Sequence, residues 1–263
     1  MGKEYEARFL DIDVASMREK LKAIGATQVH KNMRYIRTAF GLCNTDKGYV
    51  RVRSEGDKTT MTAKIYTDPK FPEEYEITIK EDYETGLNFL KSLGTKFKAA
   101  QETFREKWSH PEAHEIVFDT IPGIPTYMEI DCSSEQELNN MIEKLNLNKD
   151  KMRFGAFDKT YEEYYGIEPK VINNATPSLS FKNITNEIQP TKNKELLIKT
   201  AAEQQQMLRE TVGQERPKVK SEKSHKRHSK KHSKKHSKTH SKTQDRKSTR
   251  LNSSHTDISR MPS

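Results

Sequence analysis

Across the first 168 residues, polar and apolar positions alternate with a period of two in one segment after another. Between those segments run apolar stripes with helical spacing. As a strand, Lys3 to Phe9 puts Glu4, Glu6 and Arg8 on one face and Tyr5, Ala7 and Phe9 on the other. The same charged alternation predicts strands at about 27–40 (Arg34, Tyr35, Arg37), at Tyr49–Arg53 with Arg51 and Arg53 on one face, and at Lys58–Ile65 with Thr60, Thr62 and Lys64 in a row. It continues through Glu74–Ile79, a long strand carrying Gln101, Thr103, Arg105 and Lys107 up to Trp108, and Ile116–Ile121 paired with Thr126–Asp131 across Pro122-Gly123-Ile124-Pro125. Asp13 caps a helix with Val14, Met17, Leu21 and Ile24 on one stripe, stopped by Gly25. A second helix carries Tyr83, Leu87 and Leu90. Ser134 and Glu137 form a capping box for a third with Leu138, Met141, Ile142 and Leu145, and Lys159–Tyr165 makes a short last one.

A half-buried strand normally wets its charged row, and repetition on five or more strands argues against that here. The predicted fold class is α+β: an eight-stranded antiparallel β-barrel with a polar, charged interior, flanked by amphipathic helices. Its interior candidates are the acids Glu4, Glu6, Glu74, Glu76, Glu129 and Asp131 and the bases Arg8, Arg51, Arg53, Lys64, Arg105 and Lys107. An open sheet facing water and an internal salt-bridge network are the plainer alternatives, and the second costs several kcal/mol per ion unless each is paired. A water-filled tunnel holding a multiply charged ligand removes that cost. Carboxylates there suit Mg²⁺ or Mn²⁺, and guanidinium and ammonium groups suit a chain of phosphates.

Charge divides the chain. Residues 1–168 carry a net −5 and residues 169–263 a net +14, so the basic balance belongs to the C-terminal part. Residues 169–216 read as a polar linker with one candidate helix over Lys194–Leu208. Residues 217–244 read as a disordered Lys/His/Ser-rich tail, with His228, His232, His236 and His240 four apart and a charge suited to non-specific RNA or polyphosphate binding. Residues 245–263 resemble the in-frame translation of a sequencing adapter and are set aside as an assembly artefact. No apolar run is long enough for a signal peptide or membrane span, Glu6 stands where a myristoylation signal requires Ser or Thr, and Cys43 and Cys132 are expected as reduced thiols. These features predict a soluble, cytoplasmic protein without membrane attachment.

Several spaced motifs resemble the CYTH superfamily of triphosphate tunnel metalloenzymes. They are Glu4-x-Glu6-x-Arg8, Val50 through Lys58, Glu74-x-Glu76, Gln101 through Trp108, and Pro122 through Asp131. The resemblance covers residues 1 to about 167. It implies an eight-stranded tunnel that binds a triphosphate with a divalent metal, with Asp119 as a further tunnel carboxylate and Tyr35 as a family tyrosine. Arg8 replaces the usual closing lysine and cannot act as a general base, and Thr103 stands where lysine is common. The expected metal ligands are Glu4, Glu6, Asp119, Glu129 and Asp131, with Glu4, Glu6, Arg8 and Tyr35 as catalytic candidates. Arg51, Arg53, Lys64, Arg105 and Lys107 are the phosphate binders, and Glu74 and Glu76 further line the tunnel. The leading functional expectation is a metal-dependent triphosphatase acting on inorganic, nucleoside or thiamine triphosphate. A class IV adenylate cyclase and a non-catalytic module for polyphosphate or RNA ends are the alternatives.

Overall fold

The computed structural model describes residues 2–214 apart from Pro69 and Ala156. The chain opens with β1 (Gly2–Lys3) and β2 (Tyr5–Phe9), followed by β3 (Thr27–Gly41), β4 (Gly48–Ser54), β5 (Thr59–Ile65) and β6 (Glu73–Ile79). β7 (Lys96–His110), β8 (Ala113–Thr120) and β9 (Tyr127–Cys132) complete an antiparallel sheet in the order β1-β6-β5-β4-β3-β7-β8-β9-β2. The first nine residues supply both ends of that order: Gly2 and Lys3 pair with β6, and Tyr5–Phe9 pair with β9. Counting β1 and β2 as one strand interrupted at Glu4, eight antiparallel strands curl round until the same segment joins their two edges. Closure of this kind joins the two outer edges of the sheet through one segment.

The strand period dictates which rows face inward. Tyr5, Ala7 and Phe9 point outward with Ile116, Phe118, Met128 and Ile130, and two helices cover them. One is α1 (Val14–Ala23), whose first-turn amides are capped by Asp13, which accepts from Ala15 N and Ser16 N at 3.0 and 3.2 Å. The other is α3 (Glu135–Lys144), where Ser134 Oγ accepts from Glu137 N at 3.2 Å. The reciprocal arm of that capping box goes to Ser133 N, one residue earlier than the motif requires. A third helix, α2 (Tyr83–Ser92), covers β4 and β5 through Leu90, Val52 and Phe40.

Beyond the barrel the chain forms α4 (Asp158–Tyr165), a π turn at Val171–Ala175, the two-residue β10 (Ser178–Leu179) parallel to β7, α5 (Ile184–Glu187) and α6 (Lys194–Gln214). Composition reads residues 169–216 as a polar linker, yet Ile172, Leu179, Phe181, Ile184, Ile188 and Leu197 are buried here. Their partners are Ile121, Ile124, Tyr161, Tyr165 and Phe104. Gln204 on α6 holds the β8–β9 turn: its Oε1 accepts from Gly123 N at 2.7 Å, and its Nε2 donates to the carbonyls of Ile121 and Ile124 at 3.0 and 2.8 Å. Gly123 adopts φ +78°, and a β-carbon there would meet Leu197 and Ile184, so both backbone shape and close approach require glycine. No helix among the described residues is long and apolar enough to cross a membrane. The readings for residues 217–263 lie outside the described residues.

Candidate active site inside the barrel

The inward rows of the strands line a single cavity of about 590 Å³. Glu4, Glu6 and Arg8 come from the first strand, Arg51 and Arg53 from β4, Lys64 from β5, Glu74 and Glu76 from β6, Arg105 from β7, Asp119 from β8, and Glu129 and Asp131 from β9. Two expected residues are not among its walls. Lys107 stands beside it, paired with Glu115 at 2.5 Å. Tyr35 is buried between the guanidinium groups of Arg53 and Arg105, with its hydroxyl 2.9 Å from His30 Nε2. Burial and the nearby Glu55 push its phenol well above the ordinary value, so it stays protonated.

Around the ring the charges are sorted. Arginines cluster on β3, β4 and β7, while carboxylates dominate β6, β8, β9 and β2. Where the two meet, most are already paired. Arg8 Nε donates to Glu129 Oε1 at 2.7 Å, and Lys64 Nζ lies 2.5 Å from Glu4 and 3.1 Å from Glu74. Arg105 forms a two-point pair with Asp119 at 2.7 and 2.6 Å and donates to Glu115 at 2.7 Å. Burial opposes the charge of Arg8, but Glu129, Tyr127 and Glu6 outweigh it and hold the guanidinium above its ordinary value. For Lys64 burial is likewise outweighed by Tyr49 and the carboxylates Glu6, Glu4 and Glu74. Neither side chain can release a proton at neutral pH.

The arginine side is different. Arg51 comes no closer than 3.5 Å to a carboxylate oxygen, on Glu76. Arg37, which the sequence reading places on a strand without giving it a role, has no carboxylate partner among the described residues. It donates to Gln101 Oε1 at 2.9 Å and lies 4.8 Å from the centre of the Phe157 ring. It also stands directly opposite Arg53 across the β3–β4 ladder. Like charges facing each other in that way are destabilising, and burial followed by Arg51 lowers the pKa of Arg37. Arg53 is itself paired with Glu55, to which its Nε donates at 2.7 Å, so Arg37 and Arg51 are the members of the row left for an anion.

The carboxylate side has the opposite imbalance. Asp131 faces Glu6 on β2 and Glu115 on β8 across successive ladders. Its Oδ1 is buried without a hydrogen-bond partner. Burial, then Glu4, Glu115 and Glu74, push the Asp131 carboxyl up to about 7. Glu6 makes no ion pair or hydrogen bond among the described residues, and burial with Glu129 and Glu4 nearby raises it well above the carboxylate range. Glu115 is the reverse case: burial opposes its charge, but Arg105 and Lys107 lower it to about 2. It was missed because the alternation starts that strand at Ile116, three residues late. The cavity is further lined by Phe157, Asp158, Lys159 and Asn173 from the segment after the barrel, which carries no periodic signal pointing inward.

The sequence pattern of the CYTH domain matches residues 2–161. No curated protein sequence matches the chain. Among solved structures, the chain is similar to a protein of Pyrococcus horikoshii OT3, at 18% identity and TM-score 0.50, over 59% of this chain and 96% of that one. It is also similar to a protein of Vibrio parahaemolyticus provisionally named an adenylate cyclase, at 11% identity and TM-score 0.52, over 60% of this chain and 96% of that one.

Proposed function

The chain belongs to the CYTH family, whose members are metal-dependent enzymes, and from that premise we propose that it is a triphosphatase working inside the barrel. The observation that carries this reading is the pair Arg37 and Arg51, neither with a carboxylate in close contact among the described residues, standing beside Arg53, which is held by Glu55, and facing a carboxylate cluster across one cavity. An anionic chain lying along that row would relieve the repulsion between Arg37 and Arg53. Its phosphates would receive charge-assisted hydrogen bonds from planar guanidinium groups.

The donor chemistry fits a hard divalent cation such as Mg²⁺ or Mn²⁺. Among the described residues Asp131 Oδ1 has no hydrogen-bond partner and Glu6 has no cationic neighbour in contact, and both carboxyls are driven up by burial and then by nearby carboxylates. Among the described residues no group of three His, Cys, Asp or Glu side chains is assembled as a ready cluster. The ion would be held by Glu6 and Asp131 with oxygens of the phosphate chain, and Glu4 would join them only by giving up its pair with Lys64. Glu129 and Asp119, also expected as ligands, are committed to Arg8 and Arg105. When bound, the cation supplies charge neutralisation and an activated water.

The remaining work falls to the chain's own residues. Arg37, Arg51 and Arg53 bind the phosphates and hold them in line, and Arg105 neutralises charge that builds on the leaving oxygen. Arg8 keeps Glu129 ionised and oriented rather than accepting a proton. Phosphate release from a panel of triphosphates, with Mg²⁺ or Mn²⁺ and with wild type against Glu6→Gln, tests the proposal. Metal-dependent release that the substitution removes is expected. Equal release by both proteins would take the carboxylate side out of the chemistry.

A further inference from the structure

On one side β6 pairs with β5 along its whole length, from Glu73 opposite Ile65 to Ile79 opposite Thr59, without a bulge. On its other side β1 covers only Glu73 and Glu74. Residues 75–79 have no backbone partner on that side among the described residues. The antiparallel pattern says which groups lie there. Glu4 N donates to Pro72 O at 2.9 Å, so alternate residues counted from Pro72 direct their N–H and C=O to this edge, and the others direct theirs to β5. Glu76 and Thr78 therefore each offer an N–H and a C=O to the open edge.

Native sheet edges are commonly blocked by proline, by lysine, by a bulge or by a covering element. Tyr75-Glu76-Ile77-Thr78-Ile79 contains neither residue, runs without a bulge, and leaves its outward side chains Tyr75 and Ile77 43% and 55% exposed. A strand rich in β-branched and aromatic residues thus presents a flat, unguarded edge and a bare apolar row together. Its one charge, Glu76, points the other way, into the cavity, where it accepts from Thr62 Oγ1 at 2.8 Å.

We propose that this edge pairs with the same edge of a second copy of the chain, antiparallel about a two-fold axis at Ile77. An edge meeting its own copy in that symmetry is self-complementary. The register centred on Ile77 sets Ile77 beside Ile77, Tyr75 beside Ile79 and Glu76 beside Thr78, so Glu76 and Thr78 exchange both of their backbone bonds and no carboxylates oppose each other. Just past the ladder, Lys80 lies toward the second copy's Glu73 and Glu74, opposite to it in charge. A register centred on Glu76 would bring two like charges face to face. One centred on Thr78 would need Lys80 extended, where the chain has already bent away toward α2. The pairing also fixes the backbone that carries Glu76 into the cavity. So short a ladder falls below the roughly 1,200–2,000 Å² of a standard interface, and the dimer is therefore weak and builds up with concentration.

Sedimentation velocity of the full chain over a concentration series tests this. Wild type is expected to pass from monomer to dimer as concentration rises. Ile77→Lys and Ile77→Glu each set like charges together on the axis, at an exposed position that the fold does not need, and each should weaken dimerisation by about 10-fold or more. An equimolar mixture of the two should dimerise again, because opposite charges then meet. Thr78→Pro removes an N–H from the open edge and none from the β5 ladder, and it should weaken dimerisation to a similar degree. Wild type that stays monomeric at every concentration, or Ile77 variants that dimerise as wild type does, would overturn the proposal. A mixture of the two Ile77 variants that stays monomeric would also overturn it, since Ile77 would then not meet its own copy.

Discussion

Replacing Arg37 by methionine separates a binding role from a structural one, because the two predict opposite balances between affinity and stability. Methionine keeps much of the volume and removes the charge. The lost structural contacts are one hydrogen bond to Gln101 and the approach to the Phe157 ring, worth about 1 kcal/mol each. Against these, the substitution removes the like-charge pairing with Arg53 and the cost of keeping a guanidinium beside Arg51 in a confined cavity, together of similar size. Net stability should change by no more than about 1 kcal/mol, a shift in Tm of about 2–4 °C for a domain of this size. Binding should respond more strongly. A charge-assisted hydrogen bond to a phosphate contributes about 1.5–3 kcal/mol, so affinity for inorganic imidotriphosphate should fall by about 10- to 100-fold. Thermal denaturation and titration calorimetry on the same preparation measure both. Unchanged affinity with a Tm lowered by about 8 °C or more would refute the reasoning and make Arg37 a packing residue.

Three further outcomes follow from the paired and unpaired groups. Glu129→Gln leaves the Arg8 guanidinium buried without its main charge partner and should cost about 3–5 kcal/mol, read as a lower urea midpoint. Gln204→Ala strips the buried Gly123 amide and two carbonyls of their partners. It should cost about 2–4 kcal/mol, with an unchanged midpoint excluding α6 from holding the β8–β9 turn. Asp131 has a folded pKa of about 7 against an unfolded value near 3.8, so the folded chain binds the extra proton between those values and stability falls as pH rises through that window. In chelator, Asp131→Asn should therefore match wild type near pH 4 and exceed it by up to about 4 kcal/mol near pH 8. A constant difference across that range would show that Asp131 titrates normally.

Much of the barrel was legible because a charged row repeated at period two has few physical solutions. The rows of Glu4, Glu6 and Arg8 and of Arg51 and Arg53 face inward as the alternation requires. Arg37 was harder to place, since it shares its strand with Arg34, which faces outward to pair with Glu102. A strand with arginines on both faces does not announce which one matters. The segment after the barrel was misread as polar for a related reason. Ahead of α6, whose helix the sequence did predict over Lys194–Leu208, its buried residues are spread over a π turn, a two-residue strand, a four-residue helix and the turns between them, too short for any period to build up. Asn173 reaches the cavity from the π turn, and Phe157 and Asp158 from the start of α4, where no periodic signal marks a face toward the cavity.

The central claim concerns what leaves the cavity, and ³¹P NMR of ATP incubated with the full chain and Mg²⁺ reads it directly. The account predicts orthophosphate and ADP resonances that grow with time and are absent when Glu6→Gln replaces wild type. Pyrophosphate with cyclic AMP, or spectra of ATP, thiamine triphosphate and inorganic triphosphate that all stay unchanged at any metal concentration, would contradict it.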